Sequence, residues 1–149
     1  MWPDEKDEEL DALTASEIML EDAPPLPCDL QMRFTDRDPL VVRLAVPYTG
    51  ADGTDLPGGV WVVSRDLLSA ALTGPAGIGN IRVAPIALPG APLRIAIRLH
   101  GKHSRVTILL EHRALLEYLQ HTHHMVPFGE EVEASDMNRE IDLFFDSRH

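Results

Sequence analysis

The chain has 149 residues, a single cysteine and a formal net charge of −11 at neutral pH. A chain of this length buries roughly 70% of its unfolded surface as one domain, so a sizeable core is possible without a metal or a disulfide. The lone Cys28 excludes an intrachain disulfide and any cysteine-rich metal site. The charge argues against general duplex-DNA binding, which demands clustered Lys and Arg.

No apolar run approaches the ~18–20 residues that span a bilayer, and the N-terminus lacks the basic, apolar pattern of a signal segment. The expectation is a cytoplasmic protein with no direct membrane insertion. Residues 1–25 hold nine acids against Lys6, a balance of −8 that leaves −3 for the rest. Residues 1–22 therefore read as an acidic N-terminal arm, partly disordered or an added strand, and residues 23–149 as one α+β domain. The arm is either a solvated tail or a docking segment for a basic surface, and in neither case does the fold need it.

Residues 10–22 fit a helix or a strand equally well. Pro24, Pro25 and Pro27 end that segment, and Asp29 to Phe34 is a plausible strand. Leu40, Val42, Leu44 and Val46 alternate as in a half-buried strand. The loop from Pro47 to Gly59, with its Asp52-Gly53 turn, reads as a mobile hairpin tip. Val60 to Val63 is a continuous apolar run, expected as a strand covered on both faces. Ser64 is placed to cap a helix from Arg65 to Leu72 that Gly74 and Pro75 terminate. A Gly77-Ile78-Gly79 turn then opens a strand from Asn80 to Leu88, where Pro85 marks an edge, a bulge or a strand end.

Leu93, Ile95, Ile97 and Leu99 alternate with Arg94, Ala96, Arg98 and His100. A two-residue Gly101-Lys102 turn would set Ile97 opposite Val106, Ile95 opposite Ile108, Arg98 opposite Arg105 and His100 opposite His103. One face of this hairpin is apolar and the other basic. A helix follows from about Glu111 to His124 with Leu115, Leu116, Leu119 and His123 on one face. A last amphipathic helix runs from about Ser135 to Asp146, carrying Met137, Ile141, Phe144 and Phe145. The order indicates antiparallel α+β architecture in two halves, each a sheet followed by a helix.

Little of this points to chemistry. His121, His123 and His124 cluster at a helix end, where histidines serve as cationic caps more readily than as a rigid zinc shell. Cys28 has no activating base in view, and the serines lack a nucleophile elbow. Gly77-Ile-Gly-Asn-Ile-Arg leads into a strand and has no third glycine, so it is a turn and not a phosphate cradle. No catalytic, metal or cofactor residues are expected. The basic face of the 93–110 hairpin has three readings: a charge-protected edge, a partner for the acidic arm, or a seat for an anionic partner such as single-stranded nucleic acid. The absence of Phe, Tyr and Trp from residues 93–110 disfavours the nucleic-acid reading.

Met32-Arg-Phe34, Asp38-Pro-Leu40, Tyr48-Thr-Gly50, Trp61-Val-Val-Ser-Arg-Asp-Leu-Leu68 and Gly77-Ile-Gly-Asn-Ile-Arg-Val-Ala-Pro85 occur in this order. Together they resemble the SsgA-like regulators of sporulation and cell division in actinobacteria. Asn80 and Ala84 depart from the residues usual there, as does the longer 51–59 loop. The resemblance implies a Whirly-like fold assembled as a bell-shaped homotrimer, without enzymatic activity. It also implies protein–protein contacts at the division septum, with the tubulin-like FtsZ or a sister SsgA-like protein as partner, positioning FtsZ or controlling peptidoglycan remodelling. Arg65, Asp66, Arg82, Arg94, Arg98, Lys102 and Arg105 are the candidate interaction or subunit contacts.

Overall fold

A computed structural model describes residues 8–20, 24–46, 59–101 and 105–130. Eight antiparallel strands form one sheet: β1 (Glu9–Leu20), β2 (Leu26–Thr35), β3 (Val41–Val46), β4 (Gly59–Ser64), β5 (Ala76–Ile78), β6 (Ile81–Ile86), β7 (Arg94–His100) and β8 (Arg105–Glu111). Helix α1 (Arg65–Ala71) follows β4, and α2 (His112–Met125) follows β8. The spatial order is β4-β3-β2-β1-β8-β7-β6-β5. Two four-stranded meanders, each closed by a helix, thus join through β1 and β8. None of the helices among the described residues is long and apolar enough to cross a membrane.

The period of two in each strand sends one set of side chains toward the helices and the other set outward. Ile18, Leu30, Met32, Phe34, Leu44, Ile95, Ile97, Leu99, Ile108 and Leu110 form the buried face, with Leu68, Leu115 and Leu119 packed on them from the helices. Helix α1 touches β3 and β4 of the first meander and β5 and β6 of the second. Both ends of the sheet therefore meet one short helix, which requires the sheet to curl around it.

Several expectations are revised. Residues 9–20, counted with the acidic arm in the sequence, form the longest strand, paired with β2 on one side and with β8 on the other through Ile18 opposite Ile108. Removing residues 1–22 would delete the junction of the two meanders, so the arm is not dispensable for folding. Strand β4 lies at the edge and is covered on one face only: Val60 is 66% and Val62 51% exposed. The Gly77 turn is in fact a short strand, β5, and the reversal lies at Gly79-Asn80, where Gly79 adopts φ 57°. That left-handed value suits a residue without a Cβ.

The β7–β8 register is displaced by two residues from the expected one. Leu99 faces Val106, Ile97 faces Ile108, Arg98 faces Thr107 and His100 faces Arg105. The link spans residues 101–104, longer than a two-residue turn. A displacement of two keeps every side chain on its face, so the apolar and polar faces are as read while the cross-strand partners change. The loop at 47–58, Lys102, His103 and the 135–146 helix lie outside the described residues.

Candidate functional site on the outer face of the sheet

The six candidate contact residues that the structure describes separate into three environments. Arg65, at the first turn of α1, is 1% exposed. Its Nη1 donates to the carbonyl oxygens of Val126 (2.8 Å) and Thr122 (3.1 Å) at the end of α2. The guanidinium lies 5.1 Å from the Phe34 ring centroid and 5.0 Å from that of Phe128. A helix end leaves carbonyls unsatisfied and carries partial negative charge, so a buried cation there both satisfies acceptors and complements the dipole. Arg65 is a clamp between the two helices and presents no surface to a partner, which corrects its candidacy.

Asp66, beside it, is exposed in the first turn of α1, where a carboxylate is favoured by the same dipole. Ser64 completes that end by accepting a hydrogen bond from the Leu67 amide at 3.2 Å. At the other end of α1, His112 Nε2 donates to the Leu72 carbonyl at 3.0 Å. The helices are thus tied at both ends, with antiparallel directions.

Arg82, Arg94, Arg98 and Arg105 project from the outer face. Arg94 forms an ion pair with Glu17 of β1, reaching across β8. That bridge spans Leu109, which is only 7% exposed although it points away from the helices. The sequence gives no direct sign of this pairing, because Glu17 and Arg94 meet only through the β1–β8 junction. One segment of the acidic N-terminus does neutralise one hairpin arginine, and it does so inside the sheet.

Arg82 and Arg98 differ. They stand directly opposite each other on β6 and β7, an arrangement that is unfavourable for like charges. Among the described residues neither makes an ion pair or a side-chain hydrogen bond. Gly77, opposite Arg82 on β5, leaves the room: a Cβ there would lie 2.6 Å from Arg82 Cδ and 2.7 Å from its Nη1. Beside the pair a cleft of about 560 Å³ is lined by Ala84, Ile86 and Ala96 as well as Gly77 and the two arginines. Strand β5 ends at Ala76 opposite Val83, so β6 is uncovered from Ala84 onward. Pro85, which has no N–H to donate, occupies that uncovered stretch.

Burial shifts two further groups. Burial, then Asp29 and Glu17, push the Cys28 thiol above its ordinary range, which keeps it protonated and a poor nucleophile at neutral pH. Tyr118 is driven well above its ordinary value, first by burial and then by Asp11, and its hydroxyl donates to the Leu10 carbonyl at 2.7 Å. Among the described residues no three His, Cys, Asp or Glu side chains converge on a point that could hold a metal. His121 and His124 are exposed, while His123 stacks at 3.9 Å from Phe128.

Residues 28–131 match the family model for SsgA, the Streptomyces sporulation and cell division protein. The chain belongs to the SsgA family. Among its relatives, the sporulation-specific cell division protein SsgB of Streptomyces coelicolor is 33% identical over 78% of this chain and 80% of its own length. SsgB of Salinispora tropica is 27% identical over 91% of this chain and 92% of its own. The fold is shared too. A solved structure linking mutations in SsgB to longitudinal cell division during sporulation of Streptomyces coelicolor superposes with a TM-score of 0.74 at 26% identity, over 86% of this chain and 96% of that one. An SsgA-like protein from Thermobifida fusca superposes with a TM-score of 0.77 at 22% identity, over 93% of this chain and 96% of that one. SsgA-family architecture, as this chain displays it, is one curled antiparallel sheet with two helices.

Proposed function

We propose that this SsgA-family chain is a non-enzymatic adaptor of sporulation-specific cell division, acting through protein–protein contacts at the septum. The observation that carries the reading is the family match over residues 28–131, joined to full-length relatives that are sporulation-specific cell division proteins. The surface agrees with an adaptor. Its chemistry is concentrated in charged side chains on an outer sheet face, and its lone thiol is held protonated.

In this reading the chain works as a homo-oligomer of Whirly-like subunits, a trimer by resemblance, with FtsZ or a sister SsgA-like protein as partner, and positions FtsZ or controls peptidoglycan remodelling where septa form. A fluorescent copy expressed at native level in its own host, imaged with labelled FtsZ during septation, tests the reading. Bands arriving with or before FtsZ support it. A diffuse or nucleoid-associated signal overturns it and favours a nucleic-acid role for the hairpin.

A further inference from the structure

The outer face treats its arginines unequally, and the inequality locates a binding site. Arg33, Arg43 and Arg94 each have a carboxylate within 4 Å, supplied by Asp11, Asp38 and Glu17. Among the described residues Arg82 and Arg98, opposed in neighbouring strands, have none. In a chain with 24 acidic residues against 13 basic ones, two adjacent guanidinium groups lacking an internal anion form a local reversal of sign.

We propose that the cleft beside Arg82 and Arg98 binds an extended acidic segment of a partner protein. A carboxylate of that segment sits between the two guanidinium groups, where charge-assisted hydrogen bonds replace the repulsion between them. Its backbone runs over the small apolar floor of Ala84, Ile86 and Ala96. Gly77 is the gate to this arrangement. Because it has no side chain, Arg82 lies over it, toward β5 at the edge of the sheet.

The same lining selects against nucleic acid. Its walls are Gly, Ala, Ile, Val and Pro between two arginines, with no ring on which a base could stack. A long phosphate backbone would also run past the two charges onto an acidic protein. A short acidic peptide needs only the local pair. This inference rests on the adaptor reading and names the chemistry of what the adaptor grips.

The test uses the full-length protein and fluorescently labelled short peptides alternating Glu with Ala or Val, followed by anisotropy. The same peptides with Gln for Glu, and a labelled oligothymidylate, serve as comparisons. The Glu peptides should bind saturably and more weakly as salt rises. Arg82→Glu or Arg98→Glu should lower that affinity at least about tenfold, with circular dichroism unchanged because both side chains are exposed.

Gly77→Val should weaken binding severalfold at constant charge by displacing Arg82, and Arg113→Glu on α2 should leave binding as it was. Equal binding of Glu and Gln peptides, or indifference to both charge reversals, overturns the proposal. Tighter oligothymidylate binding through the same arginines overturns it in favour of nucleic acid. In the host, a doubly reversed protein that still bands normally at septa removes the cleft but keeps the adaptor. A wild-type protein that never reaches septa removes the adaptor itself.

Discussion

The first meander with α1 and the second with α2 share an order of elements but use their outer faces differently. In the first, Arg33 lies 2.8 Å from Asp11 and Arg43 lies 3.3 Å from Asp38, so these two cations are neutralised by side chains of the same half. In the second, Arg94 pairs with Glu17 from the other half, and Arg82 and Arg98 face each other with no acid beside them among the described residues. The inner faces show no such contrast in polarity, being continuous Leu, Ile and Val on both sides, joined by Met32 and Phe34 in the first. Packing constrains the inner residues of both halves alike, whereas exposed positions away from special features tolerate change at little energetic cost. The difference between the halves thus marks the surface free to specialise.

The comparison is broken most severely at the clamp between the helices. Arg65→Ala strips the charge-assisted hydrogen bonds to Thr122 and Val126 and two aromatic contacts, so about 4 kcal/mol of stability should be lost, read as a lowered denaturant midpoint. Lys at this position should recover only part, because an ammonium does not reproduce a planar fork held between two rings. Ile18→Ala comes next. It opens a void where β1 meets β8, and about 3 kcal/mol is expected in the same measurement.

Tyr118→Phe leaves the Leu10 carbonyl without its donor, at about 1 kcal/mol, and also changes the response to pH. Because the folded state holds the phenol above its ordinary value of 10.0, that contribution is complete below pH 10.0 and declines as pH rises beyond it. The alkaline loss should shrink in the Phe variant when thermal unfolding is followed across that range. Smallest is Arg113→Ala on the exposed face of α2, where the pair with Glu117 is solvent-screened, and a change within about 0.5 kcal/mol is expected.

Much of the inner architecture was legible in the chain. Alternation placed Val42 and Leu44, and Ile95, Ile97 and Leu99, on a buried face, and Ser64 announced the start of α1. Local signals failed where long-range pairing decided. Glu9 to Leu20 has no single period strong enough to separate strand from helix, and its place between β2 and β8 makes it a strand. The face of α2 was read as Leu115, Leu116, Leu119 and His123, but Tyr118 and Thr122 are buried instead of Leu116 and His123, because α2 turns them toward Leu10 and Arg65.

The juxtaposition of Arg82 and Arg98 was likewise hidden. It depends on the β6–β7 register, which the connection from 87 to 93 sets and no motif announces. Arg65 stands out in the sequence only as part of the Trp61–Leu68 motif, and arginines are seldom fully buried. The acceptors that permit its burial come from a helix end far along the chain.

The position of β1 has a consequence for biogenesis. It emerges before the other described strands during synthesis, yet one of its two neighbours, β8, begins only at Arg105. A nascent chain can complete the first meander and still carry β1 as an unpaired edge, with Ile18 waiting for Ile108. Closure of so distant a pair is slow relative to local hairpins, and open edges invite association with other chains. The step that completes this molecule therefore comes last, when the second meander leaves the ribosome and shields the strand made at the start.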